Sequence, residues 1–255
     1  MEQNGGRATR CLLGYLGFVL LLLVSVVGTL VLFYYLSQTS PTGMGDALPA
    51  SVETAGYTVV LDAGHGGEDG GAVGQLDGKE VYEKHLNLAV TMLLRDLLIA
   101  DGVQVVMTRE EDVLLYDRNV DYEGRKKVLD LAARLAVGQA TENAMFVSIH
   151  MNAFPQTQYK GLQVYYSPNH PQSQTLATAM QSKVTAHLQP DNTRNIKRAG
   201  SEIHLLEHLD CPAVLVECGF LSNPEDCAAL CDEAYQQRLA FLLFCAIRET
   251  MDARP

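Results

Sequence analysis

The chain is short of positive charge: 19 lysines and arginines stand against 30 aspartates and glutamates, for a formal net charge of -11. A nucleic-acid partner normally demands a basic face, so the acidic balance argues against that class of function. Basic residues are missing altogether between Arg10 and Lys79, and charge of either sign is missing from Cys11 to Leu36. That second gap is a long apolar run. At 1.5 Å per residue it can cross a hydrocarbon core of about 30 Å. It is too long for an ordinary cleaved signal sequence, the rival reading. Arg7 and Arg10 precede it, so the positive-inside rule puts residues 1–10 in the cytoplasm and the rest of the chain on the extracytoplasmic side of the cell membrane. Tyr34 and Tyr35 fall where an interfacial aromatic belt belongs. Residues 37–55 offer little that can pack, being rich in Ser, Thr, Pro, Gly and Ala, and read as a linker. Residues 56–255 are then one exported body, with no internal repeat and no second domain.

What is present is a set of apolar runs that end in chemistry. Thr58-Val-Val-Leu-Asp-Ala-Gly-His-Gly-Gly67 starts as a buried strand and ends in glycine and one histidine. Strands are expected at Tyr57–Asp62, Val103–Thr108, Met145–His150, Leu162–Ser167 and Ala213–Glu217. Helices are expected at Glu83–Ala100, Lys126–Gln139, Gln172–Gln189 and, as one or two pieces, Asn223–Met251. Leu86, Ala89, Val90, Leu93, Leu94, Leu97 and Leu98 make the first helix's apolar stripe. Glu110–Arg125, Tyr159–Gly161 and Asn192–Glu202 read as loops. Alternation of strand and helix predicts an α/β fold: a three-layer domain with a largely parallel central sheet flanked by helices. In such sheets ligands bind at the carboxyl ends of the strands.

His65 and His150 both sit at such ends. Glu83 falls on the apolar stripe of its own helix, where a carboxylate is costly unless paired or bound to a metal. A carboxylate favoured by the helix dipole reads equally well there, and Glu80, a turn earlier, is the fallback. Two imidazoles and a carboxylate are a recurrent set for catalytic zinc. Glu217 ends another strand, before a glycine turn. It reads either as a cap or as a general base that takes a proton from water and passes it to a leaving nitrogen. Arg109 faces the same edge, as a substrate contact or as a partner for Asp62, and Asn152 orients the site or caps a turn. Arg134 reads as structural, and Ser222 and Asn223 as caps of the last helical region. His85, His170, His187, His204 and His208 read as surface or hydrogen-bonded residues, with a cleft-lining place as the lesser reading for His204, which follows the loop Lys197-Arg198-Ala199-Gly200. Cys211, Cys218, Cys227, Cys231 and Cys245 crowd the last stretch; disulfides are permitted outside the cell, but an odd number leaves a thiol over. Cys227 and Cys231 are expected to share one helix face, with no structural metal.

From Tyr57 onward the chain resembles the zinc-dependent N-acetylmuramoyl-L-alanine amidases. The resemblance rests on Leu61-Asp-Ala-Gly-His-Gly-Gly67, Glu83-Lys84 with Asn87-Leu88, Thr108-Arg109, Phe146-Val-Ser-Ile-His-Met-Asn-Ala153 and Val214-Leu-Val-Glu-Cys-Gly-Phe-Leu-Ser-Asn-Pro224, in that order. It implies that His65, Glu83 and His150 bind Zn2+ and that Glu217 is catalytic. It implies that the substrate is peptidoglycan, cut between the lactyl group of N-acetylmuramic acid and L-alanine. The apolar N-terminal run and Gly124-Arg-Lys-Lys127 are similar to the amidases of spore-cortex maturation, whose cut prepares muramic δ-lactam. The sequence names no regulatory protein partner. One departure stands out: family members usually have aspartate and proline after the first Gly-Gly, and here Glu68-Asp69-Gly70-Gly71 replaces the proline. A changed loop, not a lost metal site, is expected.

Overall fold

The computed structural model describes Val27, residues 56–116 and residues 124–253. The expected membrane span at 11–36 and the linker lie outside these residues, Val27 apart; among the described residues no helix is long and apolar enough to cross a membrane. In chain order the elements are β1 (Thr58–Ala63), β2 (Val73–Leu76), β3 (Lys79–Tyr82), α1 (Glu83–Ala100), β4 (Val105–Met107), α2 (Lys126–Ala140), β5 (Ala144–Asn152), β6 (Gln163–Tyr166), α3 (Pro171–His187), β7 (Lys197–Arg198), α4 (His204–His208), β8 (Ala213–Phe220), α5 (Pro224–Cys231) and α6 (Glu233–Asp252).

The main sheet runs β4-β1-β5-β8-β6-β7. The first four strands are mutually parallel, and β6 alone pairs antiparallel, to β8. The α/β architecture expected from the alternation is therefore present, with a largely parallel sheet. Side chains of successive strand residues point to opposite faces, and the core obeys this period. Val59, Leu61, Met145, Val147 and Ile149 join the larger core, under α1, α3, α5 and α6. Val60, Ala144 and Phe146 face the other way, under α2 and α4. A strand buried on both faces reads as a continuous apolar run, which is why β1 and β5 stand out in the sequence.

Helix α1 buries Leu86, Val90, Leu94 and Leu98. Each such side chain contributes about 1.5–3 kcal/mol by leaving water. The last helical region divides at Asp232, whose side chain accepts from the Tyr235 amide and so starts α6 afresh. Asn223 caps α5 in the same way, with Pro224 as its first residue. The β2–β3 hairpin was not expected. It turns on Asp77-Gly78, both at positive φ (50° and 75°), as a tight hairpin turn requires. Its role is to carry the chain from the β1 loop to the first turn of α1.

Candidate metal centre

The site grows from the end of β1. Beyond Ala63 the chain turns sharply: His65 has φ 60° and Gly66 φ 139°. Gly64 runs so close to the His150 ring that a Cβ there would overlap it. The turn is then clamped from below. Arg134 Nη1 donates to the Ala63 carbonyl at 2.8 Å and Arg134 Nη2 to the His65 carbonyl at 2.7 Å. Arg109 Nε donates to Ala63 at 2.8 Å and Nη2 to Gly64 at 2.9 Å. Two guanidinium groups thus hold three consecutive carbonyls. Arg134 is itself fixed by Asp62 at 2.6 Å and Asp130 at 2.7 Å, all three buried.

The loop closes on itself between Gly66 and Asp69 by two backbone bonds of 3.0 Å. That closure brings Asp69 Oδ2 to 2.8 Å from His65 Nδ1. A carboxylate oxygen accepts, so Nδ1 carries a proton and Nε2 is the atom turned to the site. Nε2 lies 3.3 Å from Glu83 Oε2. Burial works against a charged His65, but the bonds to Asp69 and Glu83 outweigh it and hold its pKa up to about 9.

Glu83 opens α1, and its carboxylate is buried. Oε2 accepts from the Ala72 amide at 2.7 Å. Oε1 accepts from the Met151 amide at 3.0 Å and from Asn87 Nδ2 at 3.1 Å, and faces His150 Nδ1 at 3.0 Å. Burial opposes the charge, yet the two histidines hold this carboxyl well below the usual carboxylate range. The dipole reading of Glu83 and the site reading coincide, since the first turn of α1 faces the imidazoles.

His150 ends the regular part of β5, directly opposite Glu217 of β8 in parallel register. Glu217 is half-buried, but its Oε2 is shut off from solvent and has no hydrogen-bond partner. Burial pushes its pKa up to about 7; His150 and His65 pull the other way, while the Glu83 charge adds to the rise. One ligand atom each of His65, Glu83 and His150 can be chosen so that all lie within 4.8 Å of one another. In a tetrahedral zinc set with bonds of about 2.0–2.1 Å, neighbouring ligand atoms sit about 3.3 Å apart. The separation of His65 Nε2 and Glu83 Oε2 matches that spacing, and the donor set suits a divalent cation.

Other expected residues fall elsewhere. Glu80 lies on β3, exposed, bonded to the Tyr82 hydroxyl and outside the cluster. Arg109 is buried at 3% exposure with its nitrogens on carbonyls, including Lys84 and Glu111. The Asp62 partnership considered for it belongs to Arg134, the residue read as structural. Asn152 accepts through its backbone carbonyl from the Leu221 amide at 2.8 Å. Ser222 Oγ accepts from the Phe154 amide instead of capping the helix. His204 stands on α4, ahead of β8 in the chain and away from the strand ends that carry the cluster. All five described cysteines are free thiols, and Cys227 and Cys231 share a face of α5. Asp69, in the loop expected to change, and Asn87, one helical turn after Glu83, also belong to the site, though nothing in the sequence pattern marks their roles.

Residues 59–249 match the N-acetylmuramoyl-L-alanine amidase family. The germination-specific N-acetylmuramoyl-L-alanine amidase of Bacillus subtilis is 35% identical over 196 residues, covering 77% of this chain and 80% of that protein. The probable cell wall amidase LytH of Staphylococcus epidermidis is 33% identical over 186 residues, 71% of this chain and 54% of that protein. Among solved structures, the CwlD amidase of Clostridioides difficile, in complex with the GerS lipoprotein, superposes with a TM-score of 0.72 at 37% identity, covering 78% of this chain and all (100%) of that one. The catalytic domain of CwlV from Bacillus (Paenibacillus) polymyxa gives a TM-score of 0.63 at 32% identity, with 78% and 99% covered. The fold, the ordered motifs and these likenesses agree, and the chain belongs to the N-acetylmuramoyl-L-alanine amidase family.

Proposed function

We propose that this amidase is zinc-dependent, that His65, Glu83 and His150 hold the zinc, and that Glu217 is the catalytic acid and base. The substrate is peptidoglycan, and the bond cut joins the lactyl carboxyl of N-acetylmuramic acid to the L-alanine nitrogen. The observation that carries the reading is the convergence of three donor atoms beside a buried glutamate oxygen without a partner. Bound there, zinc supplies a Lewis acid that polarises the scissile carbonyl and brings the pKa of a water from 15.7 to about 7.

The protein's own residues do the rest. Asp69 anchors His65 Nδ1 and so turns Nε2 to the site, the usual way an outer carboxylate fixes a ligating imidazole. Asn87 bonds Glu83 at 3.1 Å and the Gly64 carbonyl at 3.1 Å, tying the first turn of α1 to the β1 loop. Glu217 takes a proton from the attacking water at its free oxygen. As the C–N bond breaks it gives that proton to the departing nitrogen, leaving a lactyl carboxylate and a free L-alanine amine. A carboxyl poised near neutrality serves both steps.

The likeness to the germination-specific amidase supports a role in spore-cortex maturation. The uncharged run at 11–36 supports attachment to the cell membrane with the enzyme on its outer side. The CwlD structure contains a lipoprotein, and a protein partner for this chain belongs to the same proposal. Mass spectrometry of purified wall treated with the zinc-loaded protein tests the bond assignment. Intact stem peptides beginning at L-alanine are expected. Shortened peptides still attached to muramic acid would instead make the protein a zinc peptidase, and zinc without turnover a wall-binding module.

A further inference from the structure

A second group of metal-ligating side chains lies outside the proposed catalytic centre. Helix α4 places His204, Glu207 and His208 at positions i, i+3 and i+4, which share one face of a helix. Leu205 and Leu206 point the other way, into the core, at 5% and 0% exposure. The short helix is held rigidly from outside. Asn169 Nδ2 donates to the Glu207 carbonyl at 2.9 Å and the Leu209 carbonyl at 3.0 Å. Ser167 Oγ donates to the Leu206 carbonyl at 2.7 Å, and Gln139 Nε2 reaches the His208 carbonyl at 3.3 Å. The side chains on its outer face therefore start from a fixed frame.

The geometry of that face is that of a cation site. The two imidazole centroids are 4.3 Å apart. One ligand atom each of His204, Glu207 and His208 can be chosen so that all lie within 4.8 Å of one another. His208 Nδ1 is 2.9 Å from the His204 carbonyl. A carbonyl only accepts, so Nδ1, which also lies 3.9 Å from Glu207 Oε2, carries the proton, and Nε2 is the nitrogen left open to a metal. Anchoring one ring nitrogen on a backbone carbonyl is how ligating histidines are commonly oriented.

We infer that His204, Glu207 and His208 form a second, surface site for a divalent transition cation of the zinc, nickel or copper class. Imidazole with one carboxylate suits that class better than it suits magnesium or calcium. Three protein ligands leave coordination positions to solvent, so the cation exchanges freely and can accept a ligand from another molecule. The site is independent of the first: it lies where the chain enters β8, whereas His65 and His150 lie where it leaves β1 and β5.

Equilibrium dialysis of the full chain in detergent against Zn2+, with elemental analysis, tests the inference. The unaltered chain is expected to hold two equivalents. His204→Ala and His208→Ala are each expected to hold one and to hydrolyse wall at the unaltered rate, since both residues are at the surface. His150→Ala is expected to keep the α4 equivalent, which separates the two sites. A single equivalent in the unaltered chain that His150→Ala removes, or a second one that survives the double substitution at 204 and 208, overturns the assignment.

Discussion

Glu217→Gln tests both halves of the site's chemistry. Glutamine keeps the shape of the side chain but cannot accept a proton. Burial holds the Glu217 carboxyl at about 7 against an ordinary 4.5, although His150 and His65 draw it down. The sign follows from linkage. Between pH 4.5 and about 7 the folded chain holds a proton that the unfolded chain has lost, so stability falls as pH rises through that window and stays reduced above it. At about 1.36 kcal/mol per pH unit, the gap amounts to roughly 3 kcal/mol. Glutamine escapes this penalty. The metal-free variant should therefore melt roughly 6–12 °C above the parent at pH 8, using 2–4 °C per kcal/mol for a domain of this size. At pH 4 both side chains are neutral and the two melting points should agree. Turnover moves the opposite way: loss of a general base costs roughly 10²–10⁴-fold, or about 2.7–5.5 kcal/mol in the barrier. Circular-dichroism melts in chelator at both pH values read the first effect, and release of amino groups from purified wall reads the second. Near-native turnover would refute the catalytic role, and a lower melting point at pH 8 would refute the penalty assigned to the buried, partnerless Oε2.

Three further substitutions probe the frame. His150→Ala removes one of the three proposed ligands and should empty the centre in the α4-deficient background; zinc retained at one equivalent there would contradict the ligand set. Asp69→Asn loses the carboxylate behind His65 and should weaken zinc binding by roughly 10–100-fold, read by competition with a chromogenic chelator; unchanged affinity would make Asp69 a loop residue only. Arg134→Met strands Asp62 and Asp130 without their 2.6 Å and 2.7 Å partner. Breaking a buried pair in this way costs about 3–5 kcal/mol, and an unshifted urea midpoint would show the network contributes nothing.

The parts of this protein that were legible in its sequence are those set by local pattern. β1, β5 and β8 are apolar on both faces, so they announce themselves, and His65, His150 and Glu217 follow from standing at their ends. Glu83 was visible because helical spacing put a charge on an apolar stripe. What escaped depends on contacts between distant segments. Arg109 and Arg134 bond carbonyls 45 or more positions away, and backbone carbonyls leave no mark in a sequence. Asp69 was present in the loop, but its use depends on the Gly66–Asp69 closure that folds it back on His65. The β2–β3 hairpin was recoverable, since Asp77-Gly78 between two short runs is a standard turn signal. β7 has only two residues and could not have been found by period.

The paired guanidinium groups beneath Ala63, Gly64 and His65 set the aim of the imidazole from below. Their grip uses main-chain oxygens and buried carboxylates, not any donor atom of the cluster. The direction of the ring is thus written into the backbone and its anchors, so a change at either arginine would misaim His65 without ever touching it.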